Sequence, residues 1–230
     1  EFPMMLISDW PFLYRDLDHA KNVWTGEVAD EVSAAFNEKF PEVEMLSWGP
    51  NSARTFTSNK PLTCVDDFAG QKFRMPNNPI HIGIVEDLGA SAQVISLGEL
   101  FTALETGTVD GQDNGMVTVV AQSFQEVQKY LNFTNHILYL NQIIINNDKF
   151  NSLDPLYQDA LTQAVDEAIA ELRPSLTELD QSSKDTLAAG GMEMVEYAPE
   201  FYDEILNLQG VKDLYTKIDG EVDGLGTILQ

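Results

Sequence analysis

The chain has 230 residues, 37 of them acidic and 13 basic, for a formal net charge of −24. A hydrophobic content of 43% is ordinary for a globular protein, and the length suffices for one large core or two smaller lobes. A surface this acidic argues against nucleic acid and against anionic membrane as partners.

Such a surface also repels itself unless salt screens it, over a Debye length that shrinks to about 3 Å in molar salt. A marine or salt-loving source is the expectation. Cys64 is the only cysteine, which excludes an intrachain disulfide and a cysteine metal cage. No apolar run approaches the ~18 residues of a membrane span, and no signal peptide precedes Glu1, so a mature soluble chain is expected.

The opening, Glu1 to Asp18, is apolar but broken by Pro3 and Pro11. Leu17, Ala20, Trp24, Val28, Val32, Ala35 and Phe36 recur at helical spacing and predict one helix of about twenty residues. Val43 to Trp48 reads as a strand and Gly49-Pro50-Asn51 as a turn. Gly70 to Pro76 is a glycine turn, a short strand and a proline stop. Asn78-Pro79 is an N-cap with proline at the first helical position, and Gly89 ends that helix. Ala92 to Ile95 is a short strand. Ser96 and Glu99 read as a capping box for a helix that Gly107 stops, and Thr108 to Gln112 returns to strand. This alternation is the rhythm of parallel α/β units.

Ser123 and Glu126 form a second capping-box pattern ahead of Val127 and Leu131. Ile137 to Tyr139 and Gln142 to Ile145 are strand-like, with Leu140-Asn141 between them. From Pro155 to Ala189 the pattern is helical, interrupted by Pro174, which predicts one long kinked helix or two end to end. Gly190-Gly191 stops it, Met192 to Tyr197 is a strand, and Pro199 opens a helix. The tail from Val211 is acidic and glycine-bearing, with no clear element. No internal repeat or low-complexity segment occurs.

Only four arginines are present, and two of them, Arg54 and Arg74, lie in the stretch that closes on Asp110-Gly111-Gln112-Asp113-Asn114. Guanidinium offers a planar fork of donors suited to holding a carboxylate through two parallel bonds. Arg74 is predicted near the carboxyl end of a strand, where open α/β sheets bind ligands. The plainer alternative is a surface salt bridge, easily formed among so many carboxylates.

Several blocks together resemble the solute-binding subunits of tripartite ATP-independent periplasmic (TRAP) transporters, of the dicarboxylate-binding type. They are Arg54 to Pro61, Asp67 to Asn77, Leu88-Gly89-Ala90, Glu99 to Asn114, Glu126 to Tyr130 and Thr134-Asn135-His136. The resemblance implies an α/β, two-lobe periplasmic-binding-protein-like fold with a long helix along both lobes. Lobe I would comprise 1–51 and 140–179, lacking the family's N-terminal part, and lobe II 52–139 and 180–230. It implies an extracytoplasmic, periplasmic protein that captures a small organic acid by lobe closure and delivers it to the TRAP membrane subunits. It would be a monomer, without cofactor and without enzymatic activity. The alternative is a ligand-binding sensory module of the same fold.

By the same resemblance Arg74 pairs with the ligand carboxylate and Arg54 is a second pocket arginine, unless it forms a salt bridge inside its lobe. Asn114 supplies an amide that can donate to a carboxylate while its oxygen is anchored elsewhere. Gly115 follows it where the family has proline, which should loosen the loop. Asn77 and Asn141 are further pocket candidates against a reading as turn asparagines. Asp110, Gln112, Asn114 and Gly115 mimic the start of a calcium loop, but its twelfth position is Ala121. The run Asp219, Glu221, Asp223, Gly224 reaches Gln230 there, so no metal is expected. His19, His81 and His136 lack ligand spacing, and His136 reads as a satisfied strand histidine. No G-x-S-x-G, P-loop or G-x-G-x-x-G motif occurs.

Overall fold

The computed structural model describes residues 3–14 and 17–222. The end of the second calcium-like run, 223–230, therefore lies outside the described residues. A 3-10 turn at Pro3–Asp9 precedes α1 (Leu17–Val23) and α2 (Glu27–Lys39). These replace the single helix expected there. Gly26 adopts an extended backbone as the N-cap of α2, and a Cβ on it would stand 3.1 Å from the Asn22 carbonyl oxygen. Glycine's low helix propensity lets the chain re-aim at that point.

β1 then runs Val43–Ser58, followed by β2 (Lys72–Met75), α3 (Pro79–Asp87), β3 (Ser91–Val94) and α4 (Leu97–Glu105). β4 (Gly111–Gly115) leads into α5 (Met116–Ala121) and β5 (Tyr130–Asn146). α6 (Asn147–Asn151), α7 (Pro155–Ala189), β6 (Glu193–Val195), α8 (Pro199–Asn207) and α9 (Gln209–Glu221) complete the order. One six-stranded sheet results, ordered β3-β2-β4-β1-β5-β6. β2 is parallel to β3 and β4, β5 is parallel to β6, and β1 is antiparallel to both its neighbours.

Long strands override several local turn signals. β1 passes straight through Gly49-Pro50-Asn51, and its register against β5 shifts between Pro50 and Ala53. A bulge lets proline, which has no N–H to give the ladder, stay in the strand. Leu140-Asn141 likewise sits inside continuous β5. The Ser123 box caps no helix. Ser123 has φ +56°, its side chain makes no cap bond, and only a 3-10 turn at Phe124–Glu126 follows. Leu131 is instead drawn into the sheet opposite Thr57 and is fully buried. At α4, Ser96 Oγ donates to the Glu99 carboxylate rather than capping a backbone N–H. α7 is one 35-residue helix with Pro174 inside it. α9 gives the tail a helix, burying Val211 and Ile218.

The order of elements expected from Gly70 to Gln112 is found, although the Ser96 box makes no backbone cap and the last strand begins at Gly111. Asn78 Oδ1 accepts from Ile80 N at 2.9 Å as the cap of α3, and Gly89 and Gly107 take φ of +81° and +69° at the two helix ends. Phe56, Phe68, Phe73, Met75, Ile84 and Val85 form one apolar cluster with residues of α8 and α9. Leu100, Leu104, Val109, Val119 and Leu131 form another, with Leu187 of α7. A third joins Trp10, Trp24, Val32 and Trp48 to Ile80 and Ile218.

Candidate ligand-binding site

β2 lies between β3 and β4, so the chain steps outward to β3 and then crosses back to β4. Parallel crossovers are right-handed, so α3 and α4 are driven onto opposite faces of the sheet. Their apolar residues accordingly fall in separate clusters. Such a reversal opens a crevice beyond the carboxyl ends of the adjacent strands on either side of it, here β2 and β4.

Arg74 stands at that place. It is the penultimate residue of β2 and is 7% exposed. Phe73 and Met75, both fully buried, face the opposite way and hold the backbone. Arg74 Nε donates to the Ile95 carbonyl, just past β3, at 2.8 Å. This is its only hydrogen bond among the described residues, and no carboxylate pairs with it there. Burial lowers its pKa from the usual arginine value, Asp113 opposes that, and Arg54 adds to it. A guanidinium remains protonated in such settings. In a chain with 37 acidic residues, a buried arginine without an acidic partner is aimed at something else.

Arg54 differs. Its Nε meets Asp113 Oδ2 at 2.8 Å, and its Nη2 meets Asp113 Oδ1 at 3.0 Å and the Asp113 carbonyl at 2.6 Å. The salt bridge inside the lobe is therefore formed. Asp113 is fully buried and also receives His136 Nε2 at 3.3 Å, with His81 Nδ1 at 3.4 Å but outside hydrogen-bond alignment. Burial by itself would raise the Asp113 carboxyl, yet the Arg54 charge and the hydrogen bonds pull it well below the carboxylate range. Burial lowers His136 despite Asp113, so its ring is neutral, and Thr134 Oγ1 lies 2.8 Å from its Nδ1. It is a satisfied strand histidine, stacked 4.5 Å from the Phe56 ring. For His81 burial opposes the charge, but Asp113 and Asp9 outweigh it and raise the pKa.

Strand alternation places Gln112 and Asn114 on one face of β4 and Asp113 on the other. Arg74 pairs in register with Gln112 and so shares the face of Asn114. Asn114 Nδ2 donates to Gln112 Oε1 at 2.6 Å. The amide is thus anchored through one of its two N–H groups, where the expectation had its oxygen anchored. Gly115 is no loosened loop: it pairs with Arg54, and a Cβ there would lie 2.5 Å from Ser52 Cβ. Asn77 is exposed beyond β2. Asn141 is exposed within β5, opposite Gly49, and accepts from Asn51 Nδ2 at 3.3 Å. The structure therefore gathers Arg74 and Asn114 on one face and backs them with Arg54 through Asp113. It places Asn141 on β5, beyond β1 from that face, opposite Gly49.

Thr57 and Gln128 were not singled out in the sequence, and Asp113, Gln112 and His81 were named there without the contacts they make here. The available signal was three consecutive polar residues, Gln112-Asp113-Asn114, in a strand that core packing would make apolar. Among the described residues no group of three or more His, Cys, Asp or Glu could hold a metal ion.

Residues 1–215 match the family described as bacterial extracellular solute-binding protein, family 7. The chain is 31% identical over 217 residues to the 2,3-diketo-L-gulonate-binding periplasmic protein of Escherichia coli (strain K12), covering 94% of this chain and 65% of that one. Over 155 residues it is 33% identical to the sialic acid-binding periplasmic protein of Vibrio cholerae, covering 67% of this chain and 48% of that protein. It spans less than two thirds of the length of both relatives. A TRAP periplasmic solute binding protein from Desulfovibrio salexigens, solved with bound orotic acid, superposes with a TM-score of 0.89 at 26% identity. That match covers 99% of this chain and 72% of the other. The chain belongs to bacterial extracellular solute-binding protein family 7, and its α/β fold is that of the two-lobed TRAP periplasmic solute-binding proteins.

Proposed function

We propose that this chain is the ligand-holding part of a periplasmic protein that captures a small organic carboxylate and delivers it to TRAP membrane subunits. The observation that carries the reading is Arg74, buried near the carboxyl end of β2 with one backbone bond and no acidic partner among the described residues. A guanidinium with its outer nitrogens uncommitted offers two parallel donors to a carboxylate. Relatives named for diketogulonate, sialic acid and orotic acid, all acids, support the ligand class. Arg54 acts at one remove, holding Asp113 and through it the geometry of β4. Asn114 is a direct contact, and Asn77 and Asn141 are contacts from the rim.

The two lobes are read as 1–51 with 140–179, and 52–139 with 180–230. The register break in β1 between Pro50 and Ala53 supports a crossing point there. α7 spans it, with Ser47 Oγ donating to Asp166 at 3.4 Å and Ser52 Oγ donating to Asp180. The ligand would close the lobes by hinge bending as a monomeric carrier. A thermal-shift screen of the full-length protein against organic acids tests the reading. A carboxylate should raise the melting temperature of wild type and leave Arg74→Ala unmoved. Equal shifts in both would overturn the assignment.

A further inference from the structure

We propose that Ser52 is a positioning residue for ligand capture: its bond to Asp180 pins the long helix α7 to the β1 crossing and sets the pivot about which the lobes close. This rests on the reading of two lobes that close by hinge bending on an acid held by Arg74.

Asp180 is out of place by ordinary packing rules. α7 buries Ile169, Leu176, Ser183 and Leu187 along one stripe, and Asp180 lies on that stripe, four residues past Leu176 and three before Ser183. A half-buried carboxylate on a packing face is destabilising unless a donor meets it. Burial accordingly pushes its pKa up, and the bond from Ser52 opposes that. Ser52 is 2% exposed, and its Oγ donates to Asp180 Oδ1 at 2.5 Å. Neither side chain has another hydrogen-bond partner among the described residues.

The place of this bond gives it a role beyond stability. The register of β1 against β5 shifts between Pro50 and Ala53, and Asn51 and Ser52 drop out of the ladder there. Asn51 Oδ1 accepts from Ser52 N at 2.8 Å, and Asn51 Nδ2 donates to Asn141 Oδ1 at 3.3 Å. One chain of bonds, Asn141–Asn51–Ser52–Asp180, therefore ties β5, β1 and α7 together where each passes between the proposed lobes. Ser47 Oγ donates to Asp166 at 3.4 Å, so α7 follows β1 along the whole crossing from Ser47 to Ser52. Gly115 ends β4 against the same point: a Cβ there would lie 2.5 Å from Ser52 Cβ. A shift of α7 thus reaches, through Ser52, the strand that pairs with β2 at Arg74. Without the bond, helix and strand would cross the boundary with slack between them. The open states would multiply, and closing on an acid would lose more conformational entropy.

Double electron–electron resonance on the full-length protein tests this, with spin labels on Glu31→Cys in lobe I and Thr106→Cys in lobe II in a Cys64→Ser background. Both labelled positions are exposed. Ser52→Ala and Asp180→Leu should each broaden the apo distance distribution roughly 2-fold. Asp180→Asn, which keeps an acceptor for the Ser52 hydroxyl, should match wild type. Calorimetric titration and stopped-flow release with succinate, D-glucuronate and orotate give the second readout. Ser52→Ala and Asp180→Leu should each weaken binding ~10-fold, chiefly through faster release, and the double variant should be no worse than either alone. Asp180→Asn should stay within about 3-fold of wild type. Melting curves of the apo variants confirm that each is folded. The inference fails alone if Ser52→Ala leaves distribution and release as in wild type, or if Asp180→Asn is as damaging as Asp180→Leu, while Arg74→Ala still abolishes binding. If a bound acid does not shift the wild-type distances, the hinge reading fails and takes this inference with it. If none of the three acids binds, the apo distributions decide.

Discussion

Arg54 grips Asp113 with two nitrogens, Nε to Oδ2 at 2.8 Å and Nη2 to Oδ1 at 3.0 Å, across the β1–β4 ladder. That pair leaves the neighbouring Arg74 as the arginine of the crevice without a carboxylate of its own among the described residues. The two arginines thus differ: one neutralises a buried acid, the other has no acid beside it and is the one proposed to take a ligand carboxylate.

Asp113→Asn should destabilise the fold by about 3–5 kcal/mol, because Arg54 would keep its charge in a buried place without compensation. His81 and His136 would lose the negative charge beside them as well. Chemical denaturation of wild type and variant at neutral pH measures this. Replacing both Arg54 and Asp113 by apolar residues should cost less than Asp113→Asn alone, since no charge is stranded.

Two of these groups predict how stability follows pH. The Asp113 carboxyl titrates well below its unfolded value, so its contribution is full above about pH 4 and is lost as acid protonates it in the fold. His81 is raised, so its contribution is full below about pH 6.5 and fades as pH rises through its folded pKa. Unfolding free energies of wild type and His81→Gln should therefore diverge most on the acidic side of neutrality and converge in base. A gap that widens with rising pH would contradict the ion pairing of His81.

Arg74→Lys should impair binding more than its retained charge implies. Phe73 and Met75 fix where the stem emerges, and a lysine from that point meets a carboxylate as a point charge without two parallel bonds. Losing a buried charged partner costs about 2–5 kcal/mol, so Arg74→Ala should lose ~30- to several-thousand-fold in affinity. Lysine should recover part of that in calorimetry. Apo melting curves should move little, since Arg74 serves the crevice and not the core.

Gly111→Ala should damage folding where Gly98→Ala should not. A Cβ on Gly111 would stand 2.2 Å from the Thr57 carbonyl and 2.5 Å from Phe73 Cε1, whereas one on Gly98 meets nothing within 4 Å. Overpacking of this kind costs about 1–3 kcal/mol or more. Thermal melts of the two variants give the comparison, and equal melting temperatures would show that the β1–β4 ladder yields easily.

Affinity should depend on salt less than a net charge of −24 suggests, rising modestly as screening relieves the repulsion of the incoming anion. A desolvated guanidinium–carboxylate contact is screened little, and the acidic surface chiefly slows anion approach at low salt. Titrations from low to molar salt should show a rising on-rate and a nearly level dissociation rate. A dissociation rate climbing steeply with salt would indicate a surface-held ligand instead.

Short-range chemistry was legible in the amino-acid sequence wherever a single residue decides it. Asn78-Pro79 starts α3, Gly89 and Gly107 end helices through positive φ, and alternation in Phe73-Arg74-Met75 separates core from crevice. The same local consistency, through the order of several blocks, made the family visible. Only the tertiary structure decided matters that depend on pairing across the chain. Gly49-Pro50-Asn51 is a strand because β5 lies beside it, and Leu131 leaves a helix-cap context because Thr57 offers a register partner. Arg54 belongs to Asp113, and Asn114 is held by Gln112, which Thr57 and Gln128 hold in turn. A hydrogen bond's direction depends on which donors and acceptors meet in space, and residues far apart in the chain carry no mark of that meeting.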